Sequence, residues 1–451
     1  MTQHYRPSFY NFIYRLNGET WLFNSLNLGL IEIDEEIENV IQKQEITIDD
    51  YEGELKESLL ELAEDGFIIP PYVNELKTLR YIYNTDRFNK DYLTITILPT
   101  LACNCSCYYC FERKHNKNVH NDSHTISDDF DKYLLQFIES KLPNVKSLSV
   151  AWFGGEPLLK FEYIEILSKK IISLCQKYSV SYTASITTNG YFITEIPDIV
   201  SRMSACKIDS CQITLDGAPK DHNRIRKLKN NSSGTFEKML QGIKLLFSNN
   251  LNVSVRINIS KVNIKNLPVL FDILERNDLK SLKIYFGQLI DYSDDDCSDL
   301  YLNTEEFARE VEKLYDTLRH KGFKYGLDDH YPTNARACIA NRIDTAVIDC
   351  YGNIYKCRSQ IGENDKTIGS IYNPENQTME EAAREINWID WTPFIYEKCK
   401  DCKYLPLCMG GCPYSLYDND DALPICDEWK YNLDYFVKQK IMNLEDTADE
   451  D

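Results

Sequence analysis

Cysteine sets the chemistry open to this sequence. Three thiols stand at Cys103-x3-Cys107-x2-Cys110, with Cys105 between the first two. Three thiolates on one short loop can hold three irons of a cubane [4Fe–4S] cluster and leave the fourth iron for a non-protein ligand. The same loop also fits a structural zinc site with Cys105 as the fourth ligand, although Cys105 is expected to point away. A second group lies toward the C-terminus. Cys338 is followed by Gly352 and Cys357, then by Cys399-x2-Cys402-x5-Cys408-x3-Cys412 and Cys426. Of 16 cysteines, four fall within 103–110 and eight within 338–426, and such clustering points to metal rather than disulfides. Cys175, Cys206, Cys211 and Cys297 stand apart and are expected to be core thiols. His115, His120 and His124 share a polar loop at spacings that match no metal-ligand pattern.

The elements that must position these thiols follow from hydrophobic periodicity. Strand-like runs at Leu93–Pro99, Ser147–Phe153, Ser181–Thr187, Gln212–Leu215, Val253–Ile259 and Lys283–Gln288 alternate with helical runs, two of them near 128–141 and 161–177. Such repeats predict a parallel sheet, either doubly wound or curled into a partial barrel, whose active end lies at the C-terminal strand tips. The cysteine loop follows the first strand. Gly154-Gly155-Glu156-Pro157 follows the second, and Thr187-Thr188-Asn189-Gly190 ends the third. Thr214-Leu215-Asp216-Gly217 ends the fourth, ahead of His222-Asn223-Arg224. Arg256 and Asn258 lie on the fifth, and Gly287-Gln288 ends the sixth. Taken singly, each is also readable as a turn or an exposed polar pair.

Residues 1–72 predict a smaller, separate unit. Phe12, Tyr14 and Leu16 alternate up to the hairpin signal Asn17-Gly18, and Trp21 and Phe23 continue the return strand. Asp34 is placed to cap a helix to about Gln42. A second helix from about Asp50 to Asp65 carries Leu55, Leu59 and Leu62, Gly66 stops it, and Phe67–Ile69 is a short strand. A hairpin, two helices and a strand suggest a winged-helix-like domain. Residues 73–92 are polar and tyrosine-rich and are expected to be a linker. The region 338–430 is short on periodicity and is expected to be held by metal. Leu444–Asp451 is read as a disordered acidic tail.

The loop Cys103-x3-Cys107-x2-Cys110, with Tyr109 before its last cysteine and Gly154-Gly155-Glu156-Pro157 at the second strand end, resembles the radical S-adenosylmethionine (SAM) enzymes over roughly residues 93–290. The C-terminal cysteines resemble the SPASM extension found in many of them. The resemblance implies an α/β fold, a partial (β/α)6 TIM-like barrel, with an N-terminal winged-helix-like domain and a C-terminal cysteine-rich SPASM domain. The implied boundaries are 1–72 for a precursor-peptide recognition domain, 73–92 for a linker, 93–329 for the barrel, 330–432 for SPASM, and 433–451 for a helix end and acidic tail.

It also implies three [4Fe–4S] clusters and SAM as cofactors. Cys103, Cys107 and Cys110 would hold the catalytic cluster. Tyr109, Gly154, Gly155, Glu156, Thr188, Asn189, Asp216, Arg256, Asn258 and Gln288 would contact SAM. Cys399, Cys402, Cys408 and Cys426 would hold one auxiliary cluster, and Cys338, Cys357 and Cys412 another. The last set has either an open iron or Cys350 as a fourth ligand. Sulfatase-maturing relatives carry an Asp base directly after the cysteine equivalent to Cys357, and this chain has Arg358 there.

The implied activity is post-translational modification of a ribosomally made precursor peptide by an oxidoreductase. After hydrogen abstraction by a 5′-deoxyadenosyl radical, a cysteine sulfur-to-carbon thioether is the expected product. Carbon–carbon or carbon–oxygen cross-linking, or side-chain oxidation of the sulfatase-maturase type, are the alternatives. A leader-bearing precursor and a flavodoxin- or ferredoxin-type electron donor are the implied partners.

Composition excludes other classes. The 50 basic and 70 acidic residues give a net charge of −20, which offers no footprint for a nucleic-acid backbone. The N-terminus MTQHYRPSFYNF lacks the apolar stretch of a secretory signal, and nowhere do 18 consecutive apolar residues occur. No membrane partner and a cytoplasmic location are therefore expected.

Overall fold

The structure, a computed structural model, describes residues 4–112, 126–127, 129–229, 234–290, 298–323, 332–417 and 423–448. His115, His120, His124 and Cys297 lie outside the described residues. The chain divides into two units. One comprises Met1–Arg87, Gly326–Ala337 and Thr392–Asp451, and the other Phe88–Tyr325 and Cys338–Trp391.

The first unit begins with β1 (His4–Pro7), β2 (Asn11–Leu16), β3 (Glu19–Asn24), β4 (Leu30–Ile33), β5 (Ile46–Thr47) and β6 (Ile68–Ile69). Asn17 and Gly18 both take positive φ, 52° and 95°, as a two-residue hairpin between β2 and β3 requires. The Asp34 carboxylate accepts from Ile37 N at 2.7 Å and caps the helix Glu35–Ile41. Sheet β2–β3–β4 buries both faces. Leu22 and Ile33 pack with Ile37, Val40, Leu59 and Leu62. Tyr14, Trp21 and Phe23 pack with Leu407, Leu433, Val437 and Ile441. The N-terminal elements thus share an apolar cluster with the last helix, Trp429–Ala448, which differs from the separate unit read in the sequence. That helix also runs through most of the segment expected as a disordered tail. Its stripe Leu433-Val437-Ile441 anchors the early turns, and each added residue then costs little.

The stretch read as a linker contains the helix Glu75–Arg87. Leu79 and Tyr83, one turn apart, are buried against Tyr10, Phe394 and Leu405. At its start the Glu75 carboxylate accepts from Ser8 Oγ at 2.5 Å and from Phe9 N at 3.0 Å. Two apolar anchors in a polar segment are too few to reveal a helix that tertiary contacts hold.

The second unit holds β7 (Tyr92–Ile97), β8 (Ser147–Trp152), β9 (Ser181–Thr188), β10 (Ile208–Thr214), β11 (Asn252–Ile259), β12 (Lys283–Gln288), β13 (Thr345–Ile348), β14 (Asn353–Tyr355) and β15 (Gly369–Ser370). They form one sheet in the order β12-β11-β10-β9-β8-β7-β13-β14-β15. Strands β7 to β12 are parallel neighbours in sequence order. An order that never reverses is the singly wound pattern of a partial barrel, not the doubly wound one. Its apolar layer includes Ile95, Ile97, Val150, Trp152, Ile213, Val255, Ile257 and Ile284, each fully buried. The helices Phe161–Lys177 and Phe236–Ser248 add Ile164, Leu167, Ile171, Met239 and Ile243. Cys175, Cys206 and Cys211 are buried thiols, as expected. β13 extends the sheet parallel to β7, and β14 and β15 follow antiparallel. The first part of the cysteine-rich region therefore belongs to the barrel sheet, in strands of four, three and two residues that carry no periodic signal. Among the described residues no helix is long and apolar enough to cross a membrane.

Candidate active site at the strand tips

Strands β7 to β12 end on one edge, and a cavity of about 480 Å³ opens there. Cys103, Cys107 and Cys110 line it, with Tyr109, Gly154, Gly155, Thr188, Asn189, Arg256, Asn258 and Gln288.

The cysteine loop is pinned from two sides. Gly155 N donates to Thr100 O at 3.1 Å and Glu156 N to Ala102 O at 2.8 Å. That approach needs glycine: a Cβ on Gly154, at φ +118°, would lie 2.3 Å from Thr100 O, and one on Gly155 2.3 Å from Ala102 O. On the far side Ser106 N donates to Lys227 O at 2.9 Å, and Lys229 N to Asn104 O at 2.8 Å. Cys103 Sγ accepts from Cys105 N at 3.4 Å. A hydrogen bond from the Cys105 thiol pulls the Cys103 thiol below its usual range, against the opposing effect of burial. Burial pushes Cys107 up to about 11, while Arg226 draws it the other way.

Below the loop lies a buried polar network. Tyr109 OH donates to Asp216 Oδ2 and accepts from Arg226. Arg226 reaches the same Oδ2 at 3.2 Å. Asn258 N and Nδ2 donate to Asp216 Oδ1 at 3.1 and 3.2 Å. Asn258 Nδ2 also reaches Tyr109 OH at 3.0 Å, and Arg256 Nε donates to Asn258 Oδ1 at 2.8 Å. Asp216 N donates to His222 Nδ1 at 3.2 Å, so that ring nitrogen carries no proton. Burial, and then Arg226, hold the His222 pKa well below the usual range.

Eight of the ten residues expected to contact SAM line the cavity, and two do not. Glu156 is fully buried, and its carboxylate accepts from Leu158 N at 2.9 Å, Thr188 Oγ1 at 2.6 Å and Asn189 N at 2.8 Å. The bonds from Thr188 and Asn189 tie the second strand end to the third. Asp216 is also fully buried and is occupied by Tyr109, Arg226 and Asn258. Two further expectations change. Cys105 was expected to point away, but it contacts Cys103 and lines the cavity. Its backbone bridge to Leu228 turns it inward. Arg224 was singled out after the fourth strand, but its side chain is 61% exposed on Asp221, and Arg226 enters the site instead. One helical turn beyond His222 was the signal that could have found it.

Glu112, Phe111 and Phe153 also line the cavity, and no sequence motif marks them. Buried Glu112 Oε1, Asn104 Nδ2 and Arg226 Nε have no hydrogen-bond partner among the described residues. Four thiols on one cavity wall, three of them at the spacing Cys103-x3-Cys107-x2-Cys110, with a glycine floor and orphaned buried donors and acceptors, suit an iron–sulfur cluster with a polar ligand on its open iron.

The C-terminal thiols divide between the units. Cys399, Cys402, Cys408 and Cys426 belong to the first. Burial raises Cys399, and the charges of Cys402 and Cys426 add to it. Cys408 is pushed up to about 12 by burial, with Asp427, Cys402 and Cys399 contributing. Lys430 Nζ lies 3.7 Å from Cys426 Sγ. Met409, Gly410 and Gly411 take positive φ in succession and turn the chain toward Cys412. Cys338 and Cys357 belong to the second unit, Cys412 to the first. Cys350 is sealed in an apolar cluster with Leu98, Leu101, Val347, Tyr355 and Ile361, and burial pushes its thiol up to about 12. Its use as a cluster ligand would require opening that cluster. Among the described residues no three His, Cys, Asp or Glu side chains are arranged around a single metal ion.

A singly wound parallel sheet with a three-cysteine loop at its active edge defines a class of fold, and the comparisons agree. Residues 97–272 match the family model described as Radical SAM superfamily. That span is a radical SAM domain, and the protein is an enzyme whose cofactors are a [4Fe–4S] cluster and SAM. The chain is 26% identical over 348 residues to a cysteine-type anaerobic sulfatase-maturating enzyme of Clostridium novyi, covering 71% of this chain and 87% of that protein. It is 27% identical over 286 residues to the radical SAM cyclopropyl synthase TigE of Paramaledivibacter caminithermalis, covering 54% and 59%. The fold is shared with anSMEcpe with bound AdoMet (TM-score 0.61, 19% identity, 80% of this chain and 96% of that one). It is also shared with SuiB of Streptococcus suis (TM-score 0.50, 14% identity, 94% and 98%).

Proposed function

We propose that this enzyme modifies a ribosomally made precursor peptide, joining a cysteine sulfur to a peptide carbon as a thioether. The observation that carries the reading is the convergence of Cys103, Cys107 and Cys110 with the polar set from strands β8 to β12 on one cavity. When bound there, the reduced cluster and SAM supply one-electron cleavage of SAM and hydrogen abstraction from an unactivated carbon. The chain's residues position and exclude. Gly154 and Gly155 set the height of the cysteine loop. Tyr109, held by Asp216, Arg226 and Asn258, keeps a fixed place beside Cys110. Asn189 Nδ2, 2.7 Å from Asn104 Oδ1, braces the loop from the third strand. The stacked rings of Phe111 and Phe153, 6.3 Å apart, make one apolar stretch of the wall.

Peptide as the substrate class is supported by fold likeness to an anSMEcpe structure with bound AdoMet and Cp18Cys peptide (TM-score 0.58, 19% identity, covering 80% of this chain and 99% of that one). Residues 1–72 are read as the leader-binding element: β2 and β4 each pair on one side only, leaving strand edges for an added peptide strand. Cys399, Cys402, Cys408 and Cys426, and Cys338, Cys357 and Cys412, are read as ligands of two auxiliary clusters that accept the electron released on closing the thioether. A flavodoxin- or ferredoxin-type donor would reduce the first cluster. Arg358 in place of Asp weighs against side-chain oxidation.

The test is a Cys107→Ala variant expressed in the native host, purified without oxygen, with co-purifying peptides identified by mass spectrometry. A small cysteine-bearing precursor is expected, lost when residues 1–72 are deleted. A large folded protein, or no peptide, would refute leader recognition.

A further inference from the structure

Three guanidiniums line the cavity, and they differ in what balances them. Arg226 has Asp216 at 3.2 Å. Arg256 donates to Asn258 and lies 5.8 Å from the centre of the Tyr285 ring. Arg358 opens the short turn Arg358–Gln360, and its Cζ lies 5.0 Å from the centre of the Phe153 ring. Its guanidinium makes no hydrogen bond or ion pair with any described residue. The charges that act on it most strongly are those of Cys357, Cys338, Tyr285 and the like-charged Arg256, and Glu112 is the carboxylate on the same cavity wall. A partly buried cation needs counter-charge and hydrogen-bond acceptors; the Phe153 ring face and the Cys357 and Cys338 sulfurs answer the first need in part, and no described acceptor answers the second. The remaining side of Arg358 is the cavity, where Ser359 adds a neighbouring hydroxyl. A planar guanidinium there is shaped for two parallel hydrogen bonds to a carboxylate.

We propose that Arg358 anchors a carboxylate of the substrate, an acidic side chain or a free C-terminus, beside the cysteine loop. This rests on the peptide reading above and narrows it: the peptide presents an Asp, a Glu or its own terminus next to the modified residue. Phe153, stacked on Phe111, would fix the approach of the residue that follows.

The test is calorimetric titration of the anaerobically reconstituted holoenzyme, with SAM present. The probes are acetyl-Ala-Gly-Asp-Gly-Ala-amide, the same peptide with Asn for Asp, the Asn peptide with a free C-terminal carboxylate, and glutarate. The wild type is expected to bind one carboxylate peptide about 10- to 100-fold more tightly than the Asn amide, the span of a charged hydrogen-bonded pair. Whether Asp or the free terminus shows the gain assigns the source. Arg358→Gln should erase the preference and Arg358→Lys restore part of it, with the electron paramagnetic resonance spectrum of the clusters unchanged. The proposal is overturned if the wild type shows no preference, if Arg358→Gln retains it, or if Arg358→Gln alters only the cluster spectrum, which would make the residue a counter-charge to Cys357. Arg358-dependent binding of glutarate with neither carboxylate peptide bound would keep the anchor and refute the peptide reading.

Discussion

Substituting Gly155 by alanine tests how the active edge is built. The new Cβ would sit 2.3 Å from Ala102 O, 2.5 Å from Ala102 C and 2.5 Å from Leu101 O, where ordinary contact begins at 3.4 Å. All three atoms are backbone, so no side chain can swing away, and Leu101–Ala102 must retreat by about 1 Å. The hydrogen bond from Glu156 N to Ala102 O stretches with it. Ala102 adjoins Cys103, so the displacement passes directly to a cluster ligand. An error of about 1 Å in a reacting geometry costs about 100-fold in rate, while overpacking of this kind costs about 1–3 kcal/mol of stability. The assay is chromatographic measurement of 5′-deoxyadenosine formed from SAM under anaerobic reduction, with iron content and thermal melting run in parallel. Gly18→Ala is the control: at φ +95° it is strained, but its Cβ would meet nothing within 4 Å, so melting should fall and SAM cleavage should not. A Gly155→Ala enzyme that holds full iron and cleaves SAM at the wild-type rate would show that Gly155 does not set the position of the cysteine loop.

Asp216→Ala leaves the Arg226 charge buried without its partner and should cost about 3–5 kcal/mol in chemical denaturation; a loss below about 1 kcal/mol would count against the network. Cys105→Ala should retain the iron, sulfide and resonance spectrum of the first cluster while Cys103→Ala loses them; loss in both would make Cys105 a ligand. His222 is held neutral by burial and by Arg226, so the unfolded chain binds a proton near pH 6.5 that the folded chain refuses. Stability should therefore fall as pH drops below about 6.5, by up to about 1.4 kcal/mol per unit, and His222→Asn should flatten that slope in denaturation curves at several pH values.

The barrel was legible because buried parallel strands leave a dense apolar signal. Lys283–Gln288 matches its expected bounds, and β7, β8 and β9 end within two residues of theirs. The hairpin at Asn17-Gly18 and the Asp34 cap were legible because their chemistry is local. What escaped was tertiary. Leu79 and Tyr83 are helical because Tyr10 and Phe394 cover them, and nothing within 73–92 records that cover. The role of Glu156 depends on Thr188 and Asn189, more than thirty residues away. Arg224 and Arg226 are alike in sequence, and only the partners Asp221 and Asp216 tell them apart. Arg358 was noticed as a departure from a pattern, but its place on the cavity wall required the sheet to bring it there.

Anaerobic turnover of the co-purified precursor with the reduced holoenzyme shows whether this site couples SAM cleavage to oxidation of a bound peptide. Mass spectrometry should find a peptide lighter by two hydrogen atoms, with one cysteine no longer open to alkylation, formed together with an equal amount of 5′-deoxyadenosine and absent with Cys107→Ala. Formation of 5′-deoxyadenosine with the peptide left unchanged would contradict the account.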